Sequence, residues 1–198
     1  MKFFKDNSYD IVKLFVNQVG ITIFSLVLYT AVGFIEDEAL FDKVTVGVSV
    51  FSILFYFSLL YMATWDLGAK DIIRIEGGKD TRVAFKGGLM SLIANVPNFV
   101  LSLGCIISMG IFLMTSLDGA YTVFGVFNLL LRFVNSMYLG LISAIFSFAE
   151  ADQNLYFLWQ SVGYLFFPLL SVAVTHLGYE AGIRNFRIFG FVDKKSKK

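Results

Sequence analysis

LLLRFVNSMYLG, residues 129–140, sets Arg132 among leucines inside a stretch with no other charge from Tyr121 to Ala149. An arginine near the middle of a hydrocarbon layer costs about 2.5–3.5 kcal/mol on insertion scales. Whether this stretch lies in such a layer is decided by what flanks it. Uncharged runs cover 14–35, 44–65, 87–117, 119–131, 133–149 and 153–179. Crossing a bilayer takes about 20 predominantly apolar residues, and runs of about 18 or more are candidates. Four of the runs qualify alone, and the two on either side of Arg132 join into a fifth once the arginine is accommodated. Composition agrees: 57% of residues are hydrophobic and 16% charged, against about 45–50% and about 25% in soluble domains. The expected fold is therefore all-α, a polytopic transmembrane helix bundle forming one membrane-embedded domain over 1–198. Its hydrophobic segments fall at 11–35, 44–65, 88–116, 121–149 and 154–178, with a polar cytoplasmic loop at 66–87 and a basic tail at 183–198.

The first segment is too long for a secretory signal, whose apolar region spans about 7–15 residues, and no A-x-A follows it; it reads as a retained helix. The second ends at Trp65, a residue type that collects at membrane interfaces, and Asp66 and Lys70 beyond it are spaced for an i,i+4 pair. In the polar loop, IIRIEGGKDTRV has branched residues around Gly77-Gly78 and admits a short hairpin, although its mixed charges favour a plain solvated loop. In the third segment Pro97 removes a ladder hydrogen bond and crowds the preceding turn. Asn95 and Asn98 flank it, placed to serve the carbonyls it frees.

Basic residues hold to the cytoplasmic side of short loops. They cluster near the N-terminus, in 70–86 and in 184–198, whereas the linkers at 36–42, 117–120 and 150–154 are acidic. Five crossings would divide the basic clusters almost evenly between the two sides. An even number gathers them all on one side, leaving Lys43 opposite. One segment should then fail to cross. The fourth is flanked by acidic linkers, yet Gly125, Asn128, Arg132, Ser136, Gly140, Ser143 and Ser147 share one helical stripe with Asn135 at its edge, and no Gly or Pro stands at Asn135-Ser136 to turn it. The NVPN sequence at 95–98 offers the better breaking point chemically. The third segment is thus expected to be re-entrant or kinked at Pro97, the fourth to cross, and both termini to be cytoplasmic, with five true crossings as the rival arrangement.

Intramembrane cations face the bundle or a wet cavity, and Ser136-xxx-Gly140 and Ser143-xxx-Ser147 are small-xxx-small pairs that permit close helix approach. Arg132 should therefore point inward. Partners within reach are Asn95, Asn98, Gln18, Gln160, carbonyls freed at Pro97 or an anionic ligand, since no intramembrane Asp or Glu is available. The candidate intramembrane polar site is Arg132, Asn128, Asn135, Asn95 and Asn98. His176 and Glu180, one turn apart near the end of the last segment, form a candidate interfacial pair. The basic tail, with aromatics interleaved, suits anionic headgroups.

A single histidine and the single Cys105 leave no ligand set for a metal, and no cofactor is expected. P-loop, G-x-S-x-G, H-E-x-x-H and C-x-x-C motifs are absent, and a net charge of +1 argues against a nucleic-acid partner. WDLGAKD, RFVNSMYLG and LGYEAGIRNF together resemble small multi-pass proteins of clostridia-type Gram-positive bacteria. That resemblance implies a bacterial cytoplasmic membrane and transfers no activity or functional residue. The expected function is that of a non-enzymatic accessory, assembly or regulatory subunit, partnered by the lipid bilayer and by other membrane subunits or a second copy. The alternative is a small permease or channel component with a polar cavity around Arg132.

Overall fold

The computed structural model describes residues 2–186, and all its regular structure is helical. The end of the basic tail, 187–198, lies outside the described residues. The elements are α1 (Lys2–Asp6), α2 (Ser8–Val32), α3 (Glu38–Glu76), α4 (Lys86–Ala94), α5 (Val96–Thr115), α6 (Asp118–Val134), α7 (Leu139–Ile145) and α8 (Gln153–Ile183), with 3-10 turns at Ser136–Tyr138 and Ser147–Ala149. Four of them, α2, α3, α5 and α8, are long and apolar enough to cross a membrane, and α6 with α7 forms a fifth apolar unit bent by 83°.

The molecule is turned inside out relative to a soluble domain. Along α3 the buried positions include Thr45, Ser49, Ser52, Tyr56, Leu60, Thr64 and Gly68 at spacings of three or four, while Val50, Phe51, Leu54, Phe55 and Met62 face outward. Lipid removes any advantage in burying leucine, so helices associate through small residues and hydrogen bonds. A surface this apolar is what such a bundle presents to acyl chains.

Two helices outrun the membrane. At about 1.5 Å per residue, the 39 residues of α3 reach about 58 Å and the 31 of α8 about 46 Å, against a hydrocarbon core of about 30 Å. The polar loop assigned to 66–87 is corrected accordingly: helix continues to Glu76, and no hairpin forms over 72–83. The residues around Ile72, Ile73 and Ile75 add turns to α3 because nothing breaks the helix before Gly77-Gly78, where Gly78 takes a positive φ of 67° and Lys79 N–H closes on the Arg74 carbonyl at 3.0 Å. Asp66 and Lys70 form the expected i,i+4 pair at 2.6 Å.

The emerging halves of α3 and α8 lie against each other backbone to backbone. A Cβ at Gly182 would overlap the Trp65 carbonyl, one at Gly178 the Thr64 hydroxyl, and one at Gly68 the Tyr179 carbonyl. Gly178-xxx-Gly182 is a GxxxG pair used within the chain, letting the two axes approach as larger residues forbid.

The largest departure from expectation concerns which segment turns back. Segment three is interrupted for one residue at Asn95 (φ −90°, ψ 1°), and α5 resumes at Val96 with Pro97 in its first turn, where a missing N–H is tolerated. The interruption expected beside Pro97 is present, yet α5 continues as a spanning helix of 20 residues. Segment four, expected as one continuous helix, instead breaks at Asn135. Its contacts trace a hairpin. Tyr121 packs on Phe112 near the end of α5, and Asn135 reaches Asn98 near its start. The chain then climbs back: Gly140 sits on Ser49 near the start of α3, Ser143 on Gln160 and Phe146 on Trp159, both early in α8. Both ends of 118–150 therefore lie at the acidic end of the bundle.

Candidate functional site

The hairpin tip is held by side chains that replace lost helical hydrogen bonds. Ending α6 inside the bundle orphans its last carbonyls, and starting α7 there orphans its first N–H groups; in an apolar surround each must find a partner. Thr22 Oγ1 donates to the Val134 carbonyl at 2.6 Å, and the Asn135 side chain donates to the Leu131 carbonyl at 3.2 Å. On the return limb Ser49 Oγ accepts the N–H groups of Gly140 and Leu141 at 2.8 and 3.2 Å. Ser136 Oγ donates to the Thr22 carbonyl at 3.2 Å and lies 2.9 Å from the Ser25 hydroxyl. A Cβ at Gly140 would overlap the Thr45 carbonyl, so glycine there is what lets the limb dock.

From the tip an amide chain runs across the core. Asn135 Nδ2 donates to Asn98 Oδ1 at 3.2 Å, Asn98 Nδ2 to Asn95 Oδ1 at 2.9 Å, and Asn95 Nδ2 to Ser171 Oγ at 3.2 Å. Ser171 closes the chain on the carbonyl of Pro168, the proline inside α8, at 2.6 Å. The three asparagines are at most 3% exposed. Three of the five residues expected to share a polar site are thus brought together, and they link the interruptions at Asn95 and Asn135 to a third helix.

Arg132 stands apart from that chain. It occupies the last turn of α6, half-buried, with its guanidinium beside the buried hydroxyl of Tyr164 on α8 and its Nε enclosed without a hydrogen-bond partner. None of the partners expected from sequence is bonded to it. The bend supplies the reason for a cation. A helix C-terminus carries about half a negative charge from its aligned peptides, and a cation in the last turn offsets it. Ending a helix within apolar surroundings makes that compensation worth more than at a solvated end. Asn128, one turn earlier and half-buried, joins none of these hydrogen bonds.

His176 and Glu180 do not pair with each other. Arg82 holds the Glu180 carboxylate at 2.7 Å and Arg184 approaches it at 3.8 Å, while the His176 ring lies 4.5 Å from that of Phe85. Phe85, at a positive φ of 59°, folds back over Gly88 to make that contact. Both partners of the expected pair line one recess of about 420 Å³ with Arg82, Ala84 and Phe85.

A larger cavity, about 580 Å³, opens at the same end of the bundle. Five helices and a loop wall it: α1 and α2 with the residue between them bring Asp6, Asn7 and Asp10; α3 brings Leu67, Asp71, Arg74 and Ile75; the loop 77–85 brings Lys79, Asp80 and Thr81; α4 brings Lys86; α8 brings Tyr179. Asp71 is 4% exposed and takes both Lys86 Nζ (2.7 Å) and the Tyr179 hydroxyl (2.9 Å) on its Oδ2. Sequence reasoning missed this group because Asp71 was placed in a solvated loop. The available signal was phase: Thr64, Gly68 and Asp71 continue the small-residue face of α3 at spacings of four and three.

Among the described residues no group of three or more His, Cys, Asp or Glu is arranged to hold a metal ion. Compared with family models, curated proteins and solved structures, the chain matches none.

Proposed function

We propose that the chain is a multi-pass protein of a cytoplasmic membrane, acting without catalysis as an accessory, assembly or regulatory subunit. The observation that carries this reading is the enclosure of the amide chain: the side-chain amides of Asn95, Asn98 and Asn135 donate to one another, to serine hydroxyls and to the backbone, as fasteners do, with Asn135 Oδ1 alone of their oxygens enclosed without a partner. In this reading four helices cross, the hairpin 118–150 enters and leaves on the acidic side, and both termini and the loop 77–85 face the cytoplasm, where the positive-inside rule puts basic clusters. A groove of about 330 Å³ between α5 and α6, lined by Gly104, Ser108, Gly119 and Ala120 among larger apolar residues, offers a second membrane subunit a small-residue surface. A photo-crosslinking residue at Ile107, in that groove, is expected to yield a discrete adduct in native membranes, and one at Ile23 on α2 is not. A monomer without adducts at either position would remove the subunit reading.

The second reading, a permease or channel component, is favoured by Arg132, whose Nε is enclosed and unpaired beside a bent intramembrane hairpin. Helix interruptions at such depth line the binding sites of many transporters. Unchanged flux of small anions through vesicles carrying Arg132→Gln would retire it.

A further inference from the structure

We propose that the recess beside His176 holds the phosphate of an anionic phospholipid. Its cations outnumber its acids: Arg82 at 2.7 Å and Arg184 at 3.8 Å share the single carboxylate of Glu180. Nearby, Arg74 and Lys86 are matched one to one by Asp80 and Asp71. His176 adds a second shortage. Its Nδ1 is enclosed without a hydrogen-bond partner. The nitrogen it can offer the recess is therefore Nε2, which has no partner among the described residues. Arg82 and His176 thus line one recess in which the only carboxylate is already claimed twice. What is missing is a negatively charged group with several acceptor oxygens, and guanidinium meets phosphate with strong charge-assisted hydrogen bonds.

Position names the source of that phosphate. Phe166, Leu170, Ala173 and Leu177 face outward along α8 at spacings of four, three and four, and the same stripe continues to Glu180 and Arg184. The surface of α8 thus passes from apolar to charged at the recess, whose other wall is Ala84 and Phe85. A phospholipid lying along α8 sets its acyl chains on the apolar stripe and its phosphate between Arg82 and His176. Basic pockets between transmembrane helices at headgroup level are a recurrent seat for anionic lipids. The volume of about 420 Å³ falls within the range of about 300–1,000 Å³ common to small-molecule sites. The site is the same whether the chain serves as a subunit or as a permease.

The test uses the full chain in maltoside micelles, titrated separately with phosphatidylglycerol, phosphatidylcholine and sodium phosphate at constant ionic strength. Melting temperature and lipid retained in native mass spectrometry are the readouts. Phosphatidylglycerol is expected to bind saturably and raise the melting temperature; phosphatidylcholine and phosphate are not. Arg82→Gln should weaken phosphatidylglycerol binding at least about tenfold, the equivalent of about 1.4 kcal/mol. His176→Phe, which keeps an aromatic ring in place, should weaken it about threefold, as the loss of one modest hydrogen bond does. Lys70→Gln removes a positive charge from the same end of the bundle and should leave binding unchanged, which separates the recess from general attraction. If Arg82→Gln does not fold, Arg184→Gln, at an exposed arginine, carries the charge test with an expected fall of about fivefold. A response to phosphate as large as that to phosphatidylglycerol would overturn the lipid assignment in favour of a free oxyanion. Equal binding of phosphatidylcholine, phosphatidylglycerol binding indifferent to the arginine and histidine variants, or an equal loss in Lys70→Gln would overturn the site.

Discussion

The chain interrupts two of its apolar segments, and the two interruptions behave differently. At Asn95 the residues that disfavour continuous helix are present, Pro97 above all, yet the helical ladder resumes at once, with Asn95 N–H on Ser91 and Phe99 N–H on Asn95. At Asn135 there is neither proline nor glycine in the turn, and the axis swings through 83°. In water the turn residues would decide. Within an apolar surround the larger cost is unpaired backbone, so a chain turns where its neighbours can take up the freed groups. Thr22, Tyr29 and Ser49 do so at 134–141. A proline at the start of a helix frees nothing that needs this help.

The contrast breaks most readily at the close approach. Gly140→Leu should prevent the return limb from docking on Thr45 and cost about 3 kcal/mol or more, since backbone cannot yield as a side chain does. Gly110→Leu, at a position with open space around its Cβ, should stay within about 0.5 kcal/mol. Reversible unfolding in mixed micelles measures both. Next come the caps: Thr22→Val or Ser49→Ala leaves buried groups unpaired and should cost about 1–3 kcal/mol each, with proteolysis in 134–141 rising in step. Asn98→Leu, which cuts the amide chain between the two interruptions, should cost about 1 kcal/mol, in line with the modest worth of hydrogen bonds inside membranes. Pro97→Ala comes last. It should shift stability by less than about 1 kcal/mol in either direction, because the first turn of α5 needs no N–H at that position. A loss at Pro97→Ala larger than at Thr22→Val would reverse the comparison.

The bundle, its apolar segments and the charge asymmetry between its ends were legible in the sequence, because hydropathy and charge are properties of single stretches. The bend at Asn135 was not. Its supports lie 91 to 114 residues away along the chain, and no local rule points from Asn135 to Thr22 or Ser49. The helical stripe through Arg132 is genuine as far as Val134, and it suggested continuity beyond that point because Ser136 and Gly140 happen to keep its phase. Asn95, Asn98 and Asn135 were recognisable as polar outliers, and the structure joins them. Arg132 was recognisable as an outlier too, but its reason was hidden: its place at a helix C-terminus exists only once the helix is known to end there. Tyr164 was one aromatic among many, and Asp71 one charge in what read as a loop.

Sidedness of the hairpin ends tests the account most directly. In a Cys105→Ser background, single cysteines at Gly119 and Ala151 should both react with a membrane-impermeant maleimide from the outside of intact cells, while a reporter fused after Lys198 reads cytoplasmic. Labelling of Gly119 and Ala151 from opposite faces of the membrane would contradict the re-entrant hairpin and restore a fifth crossing.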